Sequence, residues 1–115
     1  MTNLGPKLAP STGLPTPLTS DVLEFIKSLE RIEAMLCADN NNGWATRVTR
    51  VKKIAEASDA FSIRLFLSFF GGMGSLNDLY LKAPEEMNEA FHSELIRAYE
   101  LAKALEASEK GLPNR

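Results

Sequence analysis

Residues 60–70 read Ala60-Phe61-Ser62-Ile63-Arg64-Leu65-Phe66-Leu67-Ser68-Phe69-Phe70, and Gly71-Gly72-Met73-Gly74 follow. Whether this run is a helix or a strand decides between an all-α domain and a mixed one. Phe61, Ile63, Leu65, Leu67 and Phe69 recur at every second position, the period of a half-buried strand. Phe66 and Phe70 break that alternation, and a helix at the centre of a small bundle is apolar on most sides. Asp59 is suited to cap a helix start, and Gly71 supplies the left-handed residue that closes many helices. The balance predicts a helix from Ala60 to Phe70, with a strand as the alternative.

Upstream of this run the helical period is plain. Val22, Phe25, Ile26, Leu29, Ile32 and Leu36 form one apolar stripe among charged residues, as in a helix with one buried face. Ser20 or Asp21 is expected to cap it, and Asp21 with Glu24 approximates a capping box. Asp39-Asn40-Asn41-Asn42-Gly43 ends it, because these residues favour turns and left-handed backbone. A second helix is expected from about Trp44 to Ala57, burying Trp44, Val48, Val51 and either Ile54 or Ala55. Its β-branched Thr46, Val48 and Thr49 lower intrinsic propensity, so packing must hold it. Ser58-Asp59 then stops and restarts the chain. Residues 1–19 contain Pro6, Pro10, Pro15 and Pro17, and proline blocks helix and removes backbone donors. They are expected to be a flexible tail; Leu14-Pro15-Thr16-Pro17-Leu18 suits polyproline II only weakly.

Downstream, Ser75-Leu76-Asn77-Asp78 is expected to cap a short turn returning Leu79, Tyr80 and Leu81 to the core. Pro84 suits the first position of a last helix, whose stripe is Met87, Phe91, Leu95, Ala98, Leu101 or Ala102, and Leu105. Glu85, Glu86 and Glu89 favour the start of that helix, and Lys103 and Lys110 its end; Gly111 stops it. The reading is an all-α, compact bundle of about four helices. A Gly-rich bend precedes the last helix, and residues 20–111 form a single domain.

Composition narrows the function. A chain of 115 residues with 44% hydrophobic and 24% charged content suits one ordinary globular domain. Its formal charge of −2 gives no electrostatic reason to expect nucleic acid. Cys37 is the only cysteine, which excludes an internal disulfide and suits a reducing compartment. The opening MTNLGPKLAP has no apolar leader, and the run at 60–70 is shorter than the ~20 residues a membrane helix needs. A cytoplasmic protein without membrane association is expected.

The chemical motifs fall away on inspection. A calcium loop starting at Asp39 would need glycine and glutamate where Trp44 and Arg50 stand. Gly71-Gly72-Met73-Gly74-Ser75 lacks the Lys-Ser/Thr of a Walker loop and the third glycine of a dinucleotide fingerprint. Its backbone N–H groups still suit an anion. His92 has no second strong ligand at metal spacing and reads as a helix-surface residue. Cys37, late in an apolar helix, reads as buried. Glu85-Glu86 point different ways on a helix and read as dipole partners. No catalytic residue, metal or cofactor is expected. Arg47, Arg50, Lys52 and Lys53 make the second helix basic, while Glu85, Glu86, Glu89, Glu94, Glu100, Glu106 and Glu109 make the last one acidic. That basic stripe reads as a solvated face or as a partner for the acidic helix.

The run Phe69-Phe70-Gly71-Gly72-Met73-Gly74-Ser75-Leu76-Asn77-Asp78-Leu79-Tyr80-Leu81 resembles the central motif of a family of small bacterial proteins defined only as a domain of unknown function. In that family an aromatic-Gly-Gly-Met-Gly-Ser-aromatic/Leu-Asn-Asp-Leu run joins a helical N-terminal half to a C-terminal helix. The likeness would cover residues 21–106, with an unusually short stretch between Leu81 and Pro84. It implies a bacterial cytosolic origin and a helical fold, and no activity. Immunity or accessory roles are common among such small domains, by analogy only.

The function expected is a non-catalytic protein-binding module rather than an enzyme. Its site would be Gly72, Gly74, Ser75, Asn77 and Asp78, with Trp44 and Arg47 as walls. Asn77 and Asp78 capping the bend is the competing structural role. The alternative is a small-ligand or anion-binding protein, or an enzyme, using the Gly71–Asp78 bend. Homodimerisation through the apolar third helix is a third possibility.

Overall fold

The computed structural model describes residues 19–71 and 74–110, and of residues 109 and 110 the backbone alone. Residues 1–18 of the tail expected at 1–19, Gly72 and the stop at Gly111 lie outside the described residues, whereas Thr19 belongs to the start of α1. The elements are α1 (Ser20–Ala38), α2 (Asn42–Glu56), α3 (Phe61–Leu67) and α4 (Glu85–Lys110), with a 3-10 turn at Leu76–Asp78 before α4. No strand occurs among the described residues, so residues 60–70 resolve to the helical reading. No helix among them is long and apolar enough to cross a membrane.

The helices pack as a ring, α1 against α2 and α4, and α3 against the same two. The stripes read from the sequence face inward, apart from Met87 at the start of the last one. Phe25, Ile26, Leu29, Ile32 and Leu36 of α1 meet Val48, Val51 and Ala55 of α2, Ile63 and Phe66 of α3, and Phe91, Leu95, Ala98 and Ala102 of α4. Phe66 is fully buried, and its ring meets those of Phe25, Phe69 and Phe70 edge-on, with centroids 5.4, 6.1 and 5.0 Å away. This is the geometry aromatic quadrupoles favour.

The ends of the elements depart from expectation in small, physical ways. Thr19, not Ser20 or Asp21, caps α1, its hydroxyl accepting from Val22 N at 3.2 Å. Asn41 caps α2 by accepting from Trp44 N. Ala60, not Asp59, stands at the N-cap of α3; Asp59, one residue earlier, accepts from Phe61 N at 2.9 Å. That helix closes at Leu67, earlier than expected. Phe69 N and Phe70 N then donate to the carbonyls of Phe66 and Leu67, tightening the chain into three-residue turns before the glycines. Pro84 stands just outside α4, its carbonyl accepting from Asn88 N. Asn40 in the first connection is left-handed, with φ 59°, as its turn-forming sequence suggests.

Cys37, Met87 and Tyr80 are placed otherwise than expected. Cys37 is exposed, because Leu36 occupies the core-facing position and the next residue is rotated about 100° around the helix. Met87 is exposed and Asn88 is buried in its place, so the α4 stripe begins one residue later. Tyr80 does not return to the core and is 66% exposed, while Leu81 is buried.

Charged contacts tie α1 to both neighbours. Lys52 of α2 donates to Glu33 Oε1 at 2.8 Å, and Thr49 donates to Glu33 Oε2. Glu94 of α4 accepts from Ser28 at 2.5 Å and Arg31 at 3.2 Å, and Arg97 donates to Glu24 at 2.9 Å. The basic helix therefore pairs with α1, not with acidic α4 as one expectation had it.

Burial opposes the charge on Glu33, but the Lys52 and Thr49 hydrogen bonds and the charges of Lys52 and Lys53 outweigh it. They hold the carboxyl below the usual carboxylate range. The Glu33 hydrogen bond correspondingly raises Lys52, against the opposing effect of burial. A depressed carboxyl stabilises the fold above its unfolded value and loses that contribution as pH falls through the folded value. A raised ammonium stabilises below its unfolded value and loses it as pH rises through the folded one. Glu33→Gln should therefore cost about 1 kcal/mol near neutral pH, with the deficit vanishing in acid. Thermal melts of both proteins across pH check this.

Candidate functional site

The bend is shaped by backbone, not by crowding. Gly71 and Gly74 have φ of 89° and 76°, a region L-residues with side chains rarely enter. A Cβ at either would meet nothing within 4 Å, so backbone conformation and not close approach calls for glycine at these two. Leu76 N donates to the Phe69 carbonyl at 2.8 Å and closes the loop, with Leu76 fully buried beneath it. Ser75 donates to Asn77 Oδ1, and Asp78 N to the Ser75 carbonyl. These bonds stabilise the loop locally, without a side-chain cap on the 3-10 turn.

Beyond the bend a second clip fixes the chain. Asn88 is 4% exposed; its Oδ1 accepts from Leu81 N at 2.7 Å, and its Nδ2 donates to the carbonyls of Leu81 and Ala83 at 3.1 and 3.2 Å. Asp39 adds a staple from the first connection, accepting from Lys82 N at 2.7 Å. That is the work of the carboxylate tested above as a calcium ligand. Among the described residues no group of three His, Cys, Asp or Glu side chains is placed to hold a metal ion.

An open groove of about 640 Å³ lies between this fixed segment and α4. The bend contributes Phe70, Gly71 and Asn77, the segment after it Tyr80, and α4 contributes His92, Leu95, Ile96, Tyr99 and Glu100. Two ring contacts join the segments: Phe70 to Tyr99, with centroids 5.1 Å apart, and Tyr80 to His92, 4.8 Å apart. Tyr80, Ile96 and Tyr99 are three of the six exposed large apolar side chains described, Ile96 at 59%. His92 is half-buried, not on the free surface as expected. Its Nε2 lies 2.9 Å from the Leu79 carbonyl oxygen; a carbonyl only accepts, so Nε2 carries a proton and the ring is locked in orientation. No nucleophilic side chain bonds to it among the described residues.

Of the described residues singled out in the sequence for a site, the groove includes Asn77, and also Gly71 from the Gly71–Asp78 bend. Gly74, Ser75 and Asp78 lie on the bend away from its lining. Trp44 and Arg47 are elsewhere: the Arg47 guanidinium sits 4.6 Å over the Trp44 ring, which meets Phe69 edge-on at 5.3 Å. They buttress the base of the bend without walling the groove. The third helix, considered for self-association, turns Ile63 and Phe66 into the core and leaves Phe61 as its exposed large apolar residue.

A family model described as a domain of unknown function (DUF6966) matches residues 37–87. It spans the end of α1 to the first turn of α4, less than the 21–106 expected, and agrees with a likeness to an uncharacterised family. No curated protein and no solved structure matches the chain.

Proposed function

We propose that this domain is a non-catalytic binding module whose groove between the Gly-rich bend and α4 receives a segment of a protein partner. The observation carrying this reading is the gathering of Tyr80, Ile96 and Tyr99, all exposed, around one groove. Exposed apolar surface concentrated in a concavity is characteristic of interaction sites. The groove is anchored by the Asn88 clip and by rings continuous with the core, which limits the ordering cost of binding. A bacterial cytoplasmic accessory or immunity-like protein is the setting that suits such a module.

The groove volume also falls in the range of small-molecule sites, which keeps a small apolar ligand as the second reading. An anion is not favoured, because among the described residues no basic side chain lines the groove and Glu100 does.

A photoreactive residue placed at Ile96 should cross-link a protein from an extract of the source organism. The same residue at Ala34, exposed on α1, should not. The captured protein should then bind the purified domain and fail to bind a folded Tyr99→Asp variant. Equal capture from both positions, or undiminished binding to Tyr99→Asp, contradicts the reading.

A further inference from the structure

The charge around the groove says what kind of segment it takes. Glu100 is the charged side chain in its lining. Glu85, Glu86 and Glu89, on the first turns of the same helix, are exposed, and none of the four makes an ion pair among the described residues. The basic side chains of α4 that are described are occupied elsewhere: Arg97 pairs with Glu24 and Glu94, and Lys103 with Glu106. The groove thus offers an uncompensated carboxylate beside the rings of Tyr99 and Tyr80, and both carboxylates and aromatic faces attract cations.

Resting on the binding-module reading, we infer that the partner segment is cationic and apolar together: a Lys or Arg that meets Glu100 over Tyr99, flanked by an apolar side chain that packs on Ile96 and Leu95. The basic helix of a second copy does not supply this: Arg47, Arg50 and Lys53 are exposed on it, but none of the exposed large apolar side chains described is. An isologous α4 contact would set like charges against each other.

The probes are two synthetic 12-residue peptides with identical Leu and Phe positions, one carrying Lys and the other Glu at all remaining positions. Binding is read from the NMR shifts of the Ile96 methyl groups and the Tyr99 ring. The Lys peptide should bind at least about five-fold more tightly than the Glu peptide. Glu100→Gln should shrink that preference, Glu100→Lys should reverse it, and Glu86→Gln, away from the lining, should leave most of it. If both peptides shift these signals equally, or if the preference ignores Glu100, the cationic inference falls and the groove reading stands. If neither peptide moves Ile96 or Tyr99, both fall together.

Discussion

Replacing Asn88 by Leu is expected to destabilise the domain by about 2–4 kcal/mol, although the new side chain is more apolar and similar in size. Asn88 satisfies the N–H and carbonyl of Leu81 and the carbonyl of Ala83 from a buried position. Leucine would leave these backbone groups without partners, and each unsatisfied buried group costs about 1–3 kcal/mol. Asn88→Asp should be comparably harmful, since it retains the acceptor for Leu81 N but turns a carboxylate oxygen towards two carbonyls. Urea unfolding of the three proteins measures this, and a loss under about 1 kcal/mol for Asn88→Leu would mean that water reaches the clip. The same clip sets the path of Leu79 and Tyr80, so a surviving folded fraction should also bind more weakly at the groove.

Phe66→Ala should cost about 3–5 kcal/mol, the range for emptying a buried aromatic site. Phe66 is where α3 meets α1 through Phe25, and it supports both Phe69 under Trp44 and Phe70 beside Tyr99. A total stability of about 5–15 kcal/mol is usual for a domain, so the variant should lose a large share of it and melt well below the wild type. Phe66→Leu, which refills much of the volume, should recover more than half of the loss. Circular dichroism melts decide the matter; near-equal melting of Phe66→Ala and wild type would show that the ring is not the hub of the core.

The helices were legible because their stripes are regular: the run from Phe25 to Leu36 and that from Phe91 to Ala102 recur at three and four residues and are buried as read. Residues 60–70 were ambiguous because a short central helix carries apolar residues on most sides, so period alone separates it poorly from a strand. The Asp59 cap and Gly71 were the discriminating signals, and both sit outside the cap positions: Ala60 and Ser68 flank α3, Asp59 bonds Phe61 N from one residue earlier, and left-handed Gly71 follows the turns after Ser68.

The groove was less legible, since it is assembled from segments far apart in the chain. A signal was present in α4, where His92, Ile96 and Tyr99 follow one another at four and three residues beside the core stripe. A helix with that second apolar stripe has more apolar surface than one core face needs. The glycine motif drew attention to Gly74, Ser75 and Asp78, whose regularity is explained by left-handed backbone and local hydrogen bonds. Asn88 was hidden for another reason: an asparagine in a helix interior looks like surface until the Leu81–Ala83 backbone is folded onto it.

Cross-linking from Ile96, followed by mass-spectrometric mapping of the residues joined, tests most directly whether the groove is the binding surface. Adducts should map to one segment of one protein, and a folded Tyr99→Asp variant carrying the same probe should lose them. Adducts scattered over many proteins, or unchanged by Tyr99→Asp, would place the binding surface elsewhere on the domain.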